Sequence, residues 1–241
     1  MSKKFFAAAA LLALLSACSD DSSSSSTTTE CEAVTLSSSQ FQDSRDCQVY
    51  SKVTIGSQVW MAENLNYADS AATSNLKKNS WCYDNDESNC ATYGRLYTWT
   101  AALDISSDYQ EKAYEAKEGE QGLCPEGWHL PNEDDWETLL TYVEENNGTE
   151  NVGTSLKATS NWRGFNGIAS GSDQFGFSAL PGGYMDTQSN FDYESYSAFF
   201  WSATGVGTYY AYYKTLNYST EIVETLYMNK NAAFSVRCVQ D

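Results

Sequence analysis

The sequence predicts an α+β fold in which antiparallel strands and long irregular loops surround one main helix. Charged residues make up 19% of the 241 residues, below the roughly 25% that is usual in globular domains. Aromatic residues reach 14%, a content that fits neither a disordered acidic tail nor a long helical protein. Short runs of alternating apolar and polar residues near both ends of the chain predict the strands.

The first 20 residues have the features of an export signal. Lys3 and Lys4 precede an apolar run, residues 5–15, which is shorter than the roughly 20 residues that span a bilayer. The four residues that end at Cys18 resemble the bacterial lipobox, in which cleavage precedes a cysteine that is then lipidated. We therefore expect residues 1–17 to be a signal peptide and Cys18 to carry lipid. The alternative is a secreted protein in which Cys18 is incidental.

A polar tether follows the expected lipid anchor. Residues 18–30 consist almost entirely of Ser, Thr, Asp and Glu, and such a segment has no apolar side chain to bury. We expect a flexible tether, then one domain over residues 31–241. Ser19, rather than Asp, follows Cys18, which favours anchoring at the outer membrane or cell surface.

The cysteine count predicts a disulfide framework. Lipidation of Cys18 leaves six of the seven cysteines, and an even number in an exported chain indicates disulfides. A metal site built from four cysteines is the weaker alternative, because the sequence contains no CxxC pair. Spacing favours one of the fifteen connectivities that six cysteines allow: Cys31–Cys47 at the start of the domain, Cys82–Cys90 around a polar loop, and Cys124–Cys238 as the remaining pair.

Two regions have clear strand patterns. Residues 49–55 alternate apolar and polar side chains, and a Gly56-Ser57 turn and residues 58–61 complete a predicted hairpin. Four short runs between residues 198 and 239 predict an antiparallel meander. The stretch between them from residue 152 to 198 is rich in Ser, Gly and aromatic residues, and we predict long irregular loops there.

The main helix is predicted over about 132–147. Asn132 is a good N-cap, and three acidic residues follow it in the first turn. Gly148 is a natural stop. The apolar residues at i, i+3, i+4 and i+7 predict one buried face, formed by Trp136, Leu139, Leu140 and Val143.

Charge and histidine content restrict the possible functions. The formal net charge of −18 opposes binding to phosphate backbones, so no nucleic-acid partner is expected. His129 is the single histidine, and few catalytic constellations can be built with one possible base. We interpret His129 as a hydrogen-bonded structural residue.

Six segments together carry a family resemblance. They resemble the Fibrobacter succinogenes major paralogous domain, which occurs in exported bacterial proteins, over roughly residues 43–241. The segments are residues 43–46 (DSRD), 55–65 (IGSQVWMAENL), 93–99 (YGRLYTW), 124–131 (CPEGWHLP), 175–183 (FGFSALPGG) and 235–239 (SVRCV).

The resemblance implies a C-type-lectin-like fold, in a superfamily whose neighbours include formylglycine-generating enzymes. Such a fold has terminal strands that meet, a helix after residues 128–131 and long loops with a variable surface. A Cys124–Cys238 bridge fits it. The Glu-Pro-Asn, Gln-Pro-Asp and Trp-Asn-Asp triplets of calcium-dependent lectins are absent from the sequence, so no lectin-type calcium site is carried over.

One segment is a candidate ligand surface. Residues 181–196 show no helical or strand period, and their aromatic and acidic side chains suit carbohydrate. The alternative is that the rings hold a long loop against the domain. The candidate ligand-binding residues are Tyr184, Asp186, Phe191, Asp192, Tyr193 and Tyr196.

An acidic turn and the tryptophans are two further groups of candidate residues. Oxygen atoms of Asp84, Asp86 and Ser88, with Glu87 between them, could hold calcium, although a solvated acidic turn is favoured because the EF-hand pattern is incomplete. No other cofactor is expected. Four of the tryptophans are interpreted as core: Trp60, Trp99, Trp128 and Trp136.

These observations favour a non-catalytic, lipid-anchored recognition or adhesion module of the bacterial envelope, with polysaccharide as a possible ligand. The alternative is a structural or protein-binding envelope lipoprotein without glycan affinity. A formylglycine-generating type of enzyme is less favoured, because that chemistry needs a reactive cysteine pair and each cysteine after Cys18 has a structural assignment.

Overall fold

The computed structural model describes residues 31–147, 151–164 and 171–241. The expected signal peptide, the lipidation site Cys18 and the tether over residues 18–30 lie outside the described residues, as does Gly148. Within the described ranges, no helix combines the length and the apolar character needed to cross a bilayer.

The described residues form thirteen strands, and every pairing between these strands is antiparallel. The strands are β1 (Gln40–Gln42), β2 (Val49–Ile55), β3 (Gln58–Met61), β4 (Ser80–Trp81), β5 (Leu96–Thr98), β6 (Trp128–His129), β7 (Gly182–Met185), β8 (Phe191–Glu194), β9 (Ser197–Val206), β10 (Tyr210–Asn217), β11 (Val223–Asn229), β12 (Ala233–Phe234) and β13 (Val239–Gln240). The α-helices are α1 (Glu87–Tyr93), α2 (Trp99–Ala102), α3 (Glu133–Asn147) and α4 (Val152–Leu156), and short 3-10 helices occupy Ser74–Leu76, Tyr83–Asn85 and Ser107–Gln110.

The first sheet, with strand order β1-β2-β3-β13-β6, brings the two ends of the domain together. The β2–β3 hairpin is confirmed, with Val53 opposite Trp60 and Ile55 opposite Gln58. Val239 of β13 lies opposite both Trp60 and His129. Strands from the two ends therefore meet, as the resemblance implies.

The meander predicted over residues 198–239 is right for three strands and wrong for the last run. Strands β9, β10 and β11 form one sheet in the order β11-β10-β9. The last run divides, because Phe234 of β12 stacks on Trp201 at 4.3 Å while Cys238 is tied to Cys124. Consequently β12 joins the third sheet, β4-β5-β12-β7-β8, and β13 joins the first.

The irregular loop predicted for residues 181–196 is also wrong, because this segment contains the β7–β8 hairpin. A strand of four residues that begins with two glycines has too few side chains to show a period. Gly183 has φ +63°, and a Cβ there would lie 2.4 Å from the Asp192 carbonyl oxygen, so the close pairing of the two strands needs glycine. Helix α4 is a second regular element inside the region predicted to be loops.

Helix α3 runs from Glu133 to Asn147, close to the predicted bounds. Its N-terminus is capped reciprocally: the Asp135 backbone N–H donates to Asn132 Oδ1 (3.0 Å), and the Asn132 N–H donates to Asp135 Oδ2 (2.9 Å). Trp136, Leu139 and Val143 are buried, and Leu140 is half-buried against the same cluster.

Large aromatic side chains and disulfides fill the interior. The four tryptophans interpreted as core are at most 4% exposed. They lie in two clusters, one containing Trp99, Trp201 and Phe234 and the other built around Trp60 and Trp136. The cysteine pairs are those that spacing favours: Cys31–Cys47, Cys82–Cys90 and Cys124–Cys238.

Three of the sequence motifs meet at one buried guanidinium. Arg237, which is fully buried, donates to Asn64 Oδ1 through Nε (3.0 Å) and Nη2 (2.6 Å). Its Nη1 donates to the carbonyl oxygens of Met61 and Phe177. The guanidinium also lies over the Phe177 and Phe200 rings, at 4.6 and 5.3 Å from their centroids. We call this group the Arg237 cluster.

Candidate functional site

An open cleft of about 1180 Å³ lies beside the N-terminus of α3. One wall is the segment of residues 113–119, and the opposite wall is residues 132–135. His129 of β6, the turn after β9 and Asp241 close its sides. We call this feature the acidic cleft, because its lining contains the carboxylates of Glu115, Glu118, Glu133, Asp134, Asp135 and Asp241, against the cationic side chain of Lys117.

His129 lies between two of these carboxylates. Its Nδ1 is 2.7 Å from Asp241 Oδ1, and its Nε2 is 3.3 Å from Asp135 Oδ2. Burial by itself would lower the pKa of His129, but the hydrogen bonds with Asp135 and Asp241 outweigh it and raise the pKa above 6.5. His129 therefore links strand β6, the first turn of α3 and the residue after β13.

Glu133 is held in the wall of the cleft by a buried lysine. Lys214 Nζ, on a side chain that is 4% exposed, donates to Glu133 Oε2 at 2.7 Å and to Thr225 Oγ1 at 2.7 Å. The second oxygen, Glu133 Oε1, is buried and has no hydrogen-bond partner in the described part of the chain. Glu133 is thus fixed inside the wall, and its Oε1 is a buried acceptor that stays unsatisfied.

The other wall is fixed from behind by a second buried lysine. Lys230 Nζ donates to the carbonyl oxygens of Tyr109, Lys112 and Thr208 at 3.2, 2.8 and 2.9 Å. Its ammonium also lies 4.6 Å from the centroid of the Trp99 ring. These bonds anchor the chain where it enters the segment 113–119.

Three carboxylates of the cleft are available to a ligand. Among the described residues, the side chains of Glu115, Glu118 and Asp134 make neither a hydrogen bond nor an ion pair. Tyr114 adds an aromatic side chain, and its hydroxyl donates to Glu120 Oε2 at 3.1 Å. The cleft can therefore accept hydrogen bonds from hydroxyl or cationic groups beside an aromatic ring.

The six residues predicted to bind a ligand are not one exposed surface. Tyr184 packs on Phe199 and Phe234, with ring centroids at 5.0 and 5.6 Å, and Phe191 packs on Tyr83 at 5.3 Å. Both rings hold the β7–β8 hairpin against the domain, which is the alternative weighed for this segment.

The remaining members of that set have separate places. Asp186 Oδ1 accepts the backbone N–H groups of Gln188 and Asn190, so it organises the hairpin turn. The Tyr196 ring packs on Tyr218 and accepts the Arg163 guanidinium over its face. Asp192 is exposed, and Tyr193 is 44% exposed. Tyr193 is therefore the one aromatic ring of the six with a large exposed face.

The predicted calcium ligands have a local structural role. Asp86 is the N-cap of α1, and its Oδ1 accepts both the backbone N–H (2.9 Å) and the hydroxyl (2.7 Å) of Ser88. In the described ranges, the possible metal ligands that come within 4.8 Å of one another as a group are Cys82, Glu87 and Cys90. Because those two cysteines form a disulfide, no thiolate is available there.

Sequence reasoning identified only part of the acidic cleft. From the sequence, the first turn of α3 is predicted to be a helix cap and His129 a structural residue, and residues 113–119 are not among the predicted sites. The available signal is the run of acidic residues in the first turn of the predicted helix. The contact between Asp241 and His129 depends on the pairing of β13 with β6, and no local sequence pattern predicts that pairing.

The three sheets, the single long helix and the three disulfides define a disulfide-stapled α+β domain. The family model of the Fibrobacter succinogenes major domain (Fib_succ_major) matches residues 53–240, and the chain belongs to this family. No curated protein and no solved structure matches it significantly.

Proposed function

We propose that the protein is a non-catalytic recognition module that binds a hydroxyl-rich ligand, of the polysaccharide class, in the acidic cleft. The observation that carries this proposal is a group of exposed carboxylates without partners among the described residues, namely Glu115, Glu118 and Asp134, in an open cleft of about 1180 Å³. Sugar hydroxyls are donors that match such acceptors.

The surroundings of His129 favour binding over catalysis. Both ring nitrogens already face carboxylates, so neither is free to accept a proton from a nucleophile. The Thr204 hydroxyl at the edge of the cleft accepts the Glu133 backbone N–H at 3.2 Å. All six cysteines of the domain form disulfides, which opposes a formylglycine-generating type of activity.

The proposed fold type is C-type-lectin-like. Its support is the meeting of β3 with β13, the position of α3 after β6, and the bridge from Cys124 to Cys238. The proposed location is the bacterial envelope, with Cys18 as the lipid anchor and residues 18–30 as the tether. Anchoring through this tether would hold the cleft outside the membrane, where polysaccharide can reach it.

A glycan array, followed by pull-down on an insoluble polysaccharide that gives a signal, tests this function. The double change Glu118→Gln with Asp134→Asn should weaken binding more than about tenfold, because two hydrogen bonds to charged groups are lost. Glu126→Gln, an exposed acid outside the cleft lining, is the matched control. No binding by the unaltered protein would reject the proposal.

Because Tyr193 is exposed, we propose that the β7–β8 hairpin makes a second contact with the same ligand. The change Tyr193→Ala with Tyr196→Ala should weaken binding less than the change in the cleft. If the hairpin variant alone loses binding, the ligand site belongs to the hairpin and the assignment to the cleft is wrong. Calcium should then be tested through the melting temperature with and without the ion, since a native-state ligand raises it.

A further inference from the structure

Strand β11 leaves one edge of the three-stranded sheet uncovered. Among the described strands it pairs with β10 alone. Its four central residues, 224–227, are exposed. Two of them are large and apolar, with Leu226 at 44% and Tyr227 at 60% exposure. An edge with this character is a template for pairing with a further strand.

The pairing pattern identifies which backbone groups point outward. The Lys230 N–H donates to the Tyr209 carbonyl oxygen at 2.9 Å, and antiparallel pairs alternate between bonded and non-bonded positions. In the β10–β11 register, this alternation directs the backbone groups of Val223, Thr225 and Tyr227 away from β10. In the part of the chain that the structure describes, these groups have no backbone partner.

Three of the usual protections of an edge, namely proline, lysine and a bulge, are missing from β11. The strand contains no proline and no lysine, and its register with β10 has no bulge. Its single charged residue is Glu224, whose side chain is exposed. Natural sheets normally block such an edge with these devices.

We propose that β11 pairs antiparallel with β11 of a second copy of this chain, with Thr225 opposite the partner's Thr225. The occupant is inferred from self-complementarity, since this register joins outward-facing residues to outward-facing residues. Val223 then lies opposite the partner's Tyr227, and both backbone bonds of every such pair can form. The result is a continuous six-stranded sheet around a two-fold axis.

The side chains suit the same register. The Thr–Thr pair and the two Val–Tyr pairs are of the β-branched and aromatic kinds that stabilise antiparallel sheets. Each Glu224 lies opposite the partner's Leu226, so no like charges face each other directly. The two Glu224 residues are diagonal neighbours about 7–8 Å apart, and their like charges repel at about one Debye length. Added salt should therefore strengthen the dimer.

Disulfide trapping tests the register in the full chain exported by its host. Opposed Cα atoms in a bonded pair are about 5.5 Å apart, within the range of a disulfide. Thr225→Cys should give a band of twice the mass on a non-reducing gel that reductant removes. Tyr209→Cys, at another exposed site outside β11, is the control and should remain monomeric. Equal trapping of both variants would reject this register.

Sedimentation of the lipidated protein in density-matched detergent tests the association itself. The unaltered chain should be a dimer at micromolar concentration. Tyr227→Pro should be a monomer with an unchanged circular dichroism spectrum, because this position contributes no backbone bond to β10 and its side chain is 60% exposed. A monomeric unaltered protein, or a dimer that survives Tyr227→Pro, would overturn the proposal. Glycan binding does not enter either measurement, so the two proposals fail independently.

Discussion

The charged groups of the Arg237 cluster and of the acidic cleft differ in burial and in hydrogen-bond partners. The guanidinium is sealed in the core and bonds to neutral oxygens, while the carboxylates of the cleft share one open cavity and several have no partner. Burial lowers the pKa of Arg237 to about 9, so the group stays charged at neutral pH. Buried polar groups that have hydrogen-bond partners hold the motifs together. Exposed carboxylates that have no partner can bind a ligand.

The largest effect is expected from the disulfide at Cys238, the residue that follows Arg237. Removal of Cys124–Cys238, whose cysteines are 114 residues apart, should lower the free energy of unfolding by about 5 kcal/mol in the loop-entropy description. Removal of Cys82–Cys90, at a separation of 8, should lower it by about 2.5 kcal/mol. Denaturant unfolding of the two double-alanine variants measures the difference. Equal losses would contradict the chain-entropy reasoning.

Arg237→Met should destabilise the protein by about 2–4 kcal/mol, because it leaves Asn64 and the Met61 and Phe177 carbonyls buried without donors. Lys77→Met, a change at an exposed cation, should stay within about 0.5 kcal/mol. Thermal and denaturant unfolding compare the two variants. A neutral Arg237→Met variant would mean that the sealed cluster contributes nothing to stability.

His129 should make stability depend on pH. Its pKa is raised in the folded state, so its contribution is fully present below pH 6.5, the ordinary value, and is lost as pH rises through the folded pKa. Asp241→Asn removes the partner at 2.7 Å and should lower the His129 pKa. NMR titration reads this directly, since the chain has a single histidine. An unchanged pKa in that variant would contradict the assigned pairing.

The smallest effect on folding is expected in the cleft. Glu118→Gln should change stability by less than about 0.5 kcal/mol, because the side chain has no partner in the described structure. The same change should still weaken ligand binding. A large loss of stability would show that Glu118 serves the fold, and the contrast with Arg237 would then fail.

Local patterns predicted those elements that depend on neighbours in sequence. The β2–β3 hairpin has strict alternation and a Gly-Ser turn, and α3 has an N-cap and a four-residue apolar face, so both were found close to their observed bounds. The β7–β8 hairpin and α4 were missed, because elements of four or five residues show too little periodicity. For the same reason the sequence predicts that Tyr184 and Phe191 bind a ligand, although both rings pack against other side chains of the domain.

The sequence by itself determined the fold class, the cysteine pairs, the tryptophan core and the family. These follow from spacing, side-chain type and order, which are properties of the chain read in one dimension. Only the tertiary structure decided that residues 113–119, His129, the start of α3 and Asp241 line one cleft, and that Arg237 serves three motifs. Such groups form when strands distant in sequence pair, and β13 beside β3 and β6 is the pairing that creates both.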